Sequence, residues 1–83
     1  SNADKVSKGA YVLQDSEGAP QVILVATGSE VSLCVQARDE LKKHNIAARV
    51  VSFPCWQLFE HQPLDYQRSV FPTGVPVLSV EAG

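Results

Sequence analysis

Thr27, Gly28, Ser29 and Glu30 follow an apolar run and precede a helical pattern, a setting that suits either of two kinds of chemistry. Free N–H groups at the carboxyl end of a parallel strand and the start of a helix attract anions, so these four residues form a candidate anion or ligand loop. Against that, Thr27 with Glu30 three positions on matches a capping box, Ser29 is an alternative N-cap, and the Glu30 carboxylate repels an anion. Capping accounts for all four and is the favoured reading.

Other chemistry-bearing side chains are scattered. Cys34, Cys55, His44 and His61 share no metal-ligand spacing, so no metal site is expected. Cys34 falls in the apolar part of a predicted helix, where a free thiol behaves as a small hydrophobe; Cys55 has no neighbouring base to activate it. Glu60, Asp65 and Glu81 are single carboxylates for which solvated or capping roles suffice. Trp56 with Phe59 and His61 suggests either an exposed aromatic surface or a lid packed on a sheet, and packing is the expected role. Neither a catalytic, a cofactor-binding nor a metal-binding residue emerges.

The chain that must position these groups is 83 residues long, enough for one small domain. Ser1, Asn2 and Ala3 resemble the scar of a cleaved affinity tag, leaving 4–83 as the domain. Seven Lys and Arg among nine Asp and Glu give a net charge of −2, with no basic, aromatic-interleaved face of the kind nucleic acid requires. Val22 to Ala26, the longest mainly apolar run, is too short to span a bilayer, and no charged-then-apolar leader opens the chain. The expectation is a soluble, unexported domain with neither nucleic acid nor membrane as partner.

Gly9 to Gln14 is β-prone and is followed by a Gly- and Pro-bearing turn from Asp15 to Pro20. Gln21 to Thr27 is aliphatic without alternation, the mark of a strand covered on both faces. From Glu30 to His44, Val31, Leu33, Cys34, Val35, Ala37 and Leu41 share one broad helical face. Lys42, Lys43 and His44 suit the negative end of the helix dipole, and Asn45 suits a left-handed cap. Ala47 to Phe53 is the next strand, completing a βαβ unit expected to cross right-handed. Cys55 to Gln62 predicts a short helical turn, and Leu64 to Phe71 a second short helix that Asp65 can cap. Val75 to Val80 predicts another buried strand.

These elements imply an α/β fold with a three-layer α/β/α arrangement and a mostly parallel sheet. One clear helix and two short ones must cover three or four strands, so the sheet is expected to be incomplete at its C-terminal end.

Val25-Ala-Thr-Gly-Ser-Glu-Val31, then Val50-Val-Ser-Phe-Pro-Cys-Trp-Gln-Leu-Phe-Glu60, then Val80-Glu-Ala-Gly83 together resemble the transketolase C-terminal domain. The likeness covers nearly all of the chain after the scar. That family commonly carries Met and Ser where Phe53 and Cys55 stand here, a difference of packing more than of chemistry.

The resemblance implies a partial C-terminal domain of an enzyme that transfers a two-carbon ketol unit from a ketose phosphate to an aldose phosphate in the pentose phosphate pathway. It further implies a cytoplasmic homodimer using thiamine diphosphate and Mg2+ (or Ca2+), held by the two preceding domains at the dimer interface. None of those binding or acid-base residues maps onto this segment. The expected partners are therefore the enzyme's own preceding domains and second subunit, with sugar phosphates bound elsewhere; the segment itself is expected to hold no cofactor and to catalyse nothing. The equivalent domain of dihydroxyacetone synthase, deoxyxylulose phosphate synthase or a pyruvate dehydrogenase beta subunit is an alternative, as is a free-standing interaction module. The Trp56-x-Leu58-Phe59-Glu60 segment favours the transketolase branch.

Overall fold

The structure, a computed structural model, describes residues 9–26, 31–53 and 55–80. Along the chain lie β1 (Tyr11–Gln14), β2 (Val22–Ala26), α1 (Val31–Lys43), β3 (Ala48–Ser52), α2 (Trp56–Glu60), α3 (Leu64–Val70) and β4 (Val77–Ser79). The strands form one sheet in the order β1-β3-β2-β4. β2 runs parallel to β3 and to β4, while β1 is antiparallel to β3. The sheet is thus mixed, with its three parallel strands consecutive across it.

Side-chain alternation explains the layers. Along β2, Val22, Leu24 and Ala26 point to one face and join Ala48 and Val50 of β3 and Cys34 of α1 in a buried cluster. Ile23 and Val51 point to the other face and meet Ala10, Phe59 and Val70. The unbroken aliphatic run of β2 is therefore a consequence of burial on both sides, as expected of a parallel strand under helices. Cys34 is fully buried in the α1 layer, the small-hydrophobe role its position suggested.

The C-terminal end of α1 is closed by backbone geometry. Asn45 adopts φ 62°, its N–H donates to the Lys42 carbonyl at 3.0 Å, and the Ile46 N–H donates to the Leu41 carbonyl at 3.0 Å. This pair of bonds is a Schellman motif, and Ile46 then packs back on the α1 layer. We expect Asn45→Ala to lower stability by about 1 kcal/mol, because Ala pays the left-handed penalty, and Asn45→Gly to hold or slightly raise it. Thermal denaturation of the two variants side by side checks the order.

Two sequence expectations need correction. Asp65 is not the cap of α3: the N-cap is Pro63, with φ −56° and ψ 149° and no side-chain cap bond, so the helix starts at Leu64 and Asp65 lies inside its first turn. There its charge favours the helix dipole without capping a donor. Val75 to Val80 is not a buried strand either. β4 covers only Val77–Ser79 and all three residues are exposed, Val77 at 48% and Leu78 at 54%. Among the described residues it pairs on one side alone, with β2, and so forms an edge of the described sheet. Its apolar residues mark a strand suited to burial, but burial depends on neighbours that local composition does not specify.

Candidate functional site

Of the four candidate loop residues, Thr27, Gly28, Ser29 and Glu30 all lie outside the described residues, and so do Pro54 and Glu81. Their brackets are described. Ala26 ends β2, Val31 begins α1, and the Phe53 N–H donates to the Ala26 carbonyl at 2.9 Å, holding the ends of β2 and β3 together. Connections leave these two adjacent parallel strands toward opposite layers, α1 on one face and α2 on the other. That is the topological switch point of the sheet.

An aromatic cluster sits beside this switch point. Phe53 stacks on Trp56 with ring centroids 5.4 Å apart, and tilts against Phe59 at 5.3 Å and Phe71 at 5.9 Å. Phe59 makes edge contacts with Phe71 and Tyr66. Phe59 is buried, as packing on the sheet predicts, whereas Trp56 remains 62% exposed with one ring face against Phe53. The packing expectation therefore holds for Phe59 and fails for Trp56. Trp56 opens α2, on the helix's outer turn, while the inward position falls to Phe59. Val25, Phe53, Trp56, Phe71, Val77 and Ser79 line an almost wholly apolar groove of about 470 Å³.

The opposite end of the sheet is polar. Ser16, Glu17, Arg38, Lys42 and the stretch 45–48 line a groove of about 260 Å³. Its cations are already engaged. Arg38 donates through Nε and Nη2 to the Asp15 carbonyl at 3.2 and 2.6 Å, and Lys42 pairs with Glu17 at 2.9 Å. Hydrogen bonding from Lys42 keeps the Glu17 carboxyl below its usual range.

Arg49, on the α2 and α3 face of β3, ties three elements together. Its Nε donates to Asp15 Oδ1 at 2.9 Å, and its Nη1 donates to the carbonyls of Ser69 and Val70 at 2.7 and 3.1 Å. The guanidinium thus satisfies orphan carbonyls at the end of α3 while fixing the β1–β2 turn. Partial burial opposes ionisation of Asp15, but hydrogen bonds from Arg49 and the Ser16 N–H outweigh it and hold the carboxyl below its ordinary 3.8. This node escaped sequence reasoning: Asp15 and Arg49 are distant in the chain, and no motif links them.

A depressed folded pKa contributes stability above the unfolded value, and that stability is lost as pH falls through the folded one. We therefore expect urea stability to decline as pH drops below about 4, the model-peptide range of Asp15. Arg49→Met should cost about 1 to 2 kcal/mol at neutral pH and flatten that acid decline. An unchanged acid slope in the variant would assign the decline to other carboxylates.

The described residues do not fit a thiamine diphosphate and divalent metal site. Among them no group of three or more His, Cys, Asp or Glu gathers around a common point. Arg38, Lys42 and Arg49 are committed to the carbonyl and carboxylates of the β1–β2 turn, at the end of the sheet away from the switch point. Also among the described residues, no helix is long and apolar enough to cross a membrane.

The fold is that of an α/β domain, a mixed sheet with helices packed on both faces. A family model described as the transketolase-like TK C-terminal domain matches residues 9–83, and the chain belongs to that family. It is 56% identical over 81 residues to transketolase 1 of Saccharomyces cerevisiae, a match covering 98% of this chain and 12% of that protein. Among solved structures, the transketolase from Leishmania mexicana superposes with a TM-score of 0.88 at 48% identity, covering 95% of this chain and 12% of that one. The transketolase of Pichia stipitis in complex with sedoheptulose-7-phosphate gives 0.85, at the same identity and coverage. The chain spans about an eighth of the length of the transketolases it matches. These relatives favour the transketolase branch over the alternatives raised by the sequence.

Proposed function

We propose that this chain is the C-terminal structural segment of a transketolase, and that its work is to buttress the neighbouring catalytic domains and the dimer. The whole enzyme transfers a two-carbon ketol unit from a ketose phosphate to an aldose phosphate in the pentose phosphate pathway. Thiamine diphosphate and Mg2+ (or Ca2+) are held by the preceding domains, in a cytoplasmic homodimer. The single observation that carries this reading is the alignment of nearly the whole chain with transketolases eightfold longer. The sugar phosphate bound by the Pichia stipitis relative supports the substrate class. Exposed apolar side chains at Trp56, Leu64, Val77 and Leu78 suit a domain that packs against others.

Expression of the complete reading frame that encodes this segment tests the proposal. The product should convert a pentulose phosphate and a pentose phosphate into sedoheptulose phosphate and a triose phosphate, and should lose that activity when thiamine diphosphate and divalent metal are removed. A frame whose product shows no ketol transfer with both cofactors present would overturn it.

A further inference from the structure

We draw no further inference here: the strongest candidate, the apolar groove that Val25, Phe53, Trp56, Phe71 and Val77 line beside the β4 edge, belongs to the packing role already proposed, and nothing in the structure shows what covers it.

Discussion

Gly9→Ala should cost about 3 to 5 kcal/mol, enough to leave much of the chain unfolded, since a domain of this length holds only about 4 to 12 kcal/mol in total. Two effects add. Gly9 lies at φ +83°, where an L side chain is strained, and a Cβ built there falls 2.3 Å from both the Cys55 carbonyl oxygen and the Phe59 nitrogen. Both obstacles are backbone atoms at the start of α2, so neither can swing aside. The Cys55 N–H also donates to the Gly9 carbonyl at 3.0 Å, which locks the chain before β1 onto the helix that carries Phe59. Gly18→Ala is the matching control. Gly18 has nearly the same φ, +80°, but nothing among the described residues within 4 Å of its added Cβ, so it should show only the conformational cost of about 1 kcal/mol. Urea denaturation of the two variants measures the difference; equal losses would mean that the close approach at Gly9 is relieved by movement of α2.

Phe59→Ala is the second large effect, with an expected loss of about 3 to 5 kcal/mol. Phe59 is 4% exposed and packs in one cluster with Ala10, Ile23, Val51 and Val70. It also meets the rings of Phe53, Tyr66 and Phe71. Removing it opens a cavity under both short helices, which are too short to hold their conformation without tertiary packing. Trp56→Ala, at a more exposed ring touching Phe53, should cost about 1 kcal/mol or less. Thermal melts of both variants give the comparison, and a larger loss from Trp56 would contradict the burial order of the two rings.

The same pair of aromatics illustrates how far sequence reasoning reaches. Helical spacing correctly places Trp56 and Phe59 on one short helix, but spacing does not say which of them meets the sheet. The βαβ core is legible for a physical reason: its signals are local. An aliphatic run at Val22–Ala26, an amphipathic stretch over Val31–Lys43 and a left-handed Asn45 each act within a few residues. What local patterns cannot carry is direction and neighbourhood. That β1 lies antiparallel against β3 is set by pairing between Tyr11 and Ser52, far apart in the chain. That β4 is an edge among the described residues, with Val77 and Leu78 exposed, depends on neighbours distant in the chain, whereas the two read alone as core residues. The Asp15–Arg49 pair is a third long-range fact, formed only once the sheet exists. Of the candidate site, Thr27, Gly28, Ser29 and Glu30 lie outside the described residues, while the ends of β2 and β3 that bracket them are legible from their aliphatic runs.

Calorimetric titration of the isolated chain with thiamine diphosphate in the presence of Mg2+ bears most directly on the claim that this segment supports ketol transfer without performing any of its chemistry. We predict no saturable heat from the isolated chain, alongside saturable binding by the product of the complete reading frame. A saturable, magnesium-dependent site on the 83 residues alone would contradict the account and place cofactor chemistry within the segment.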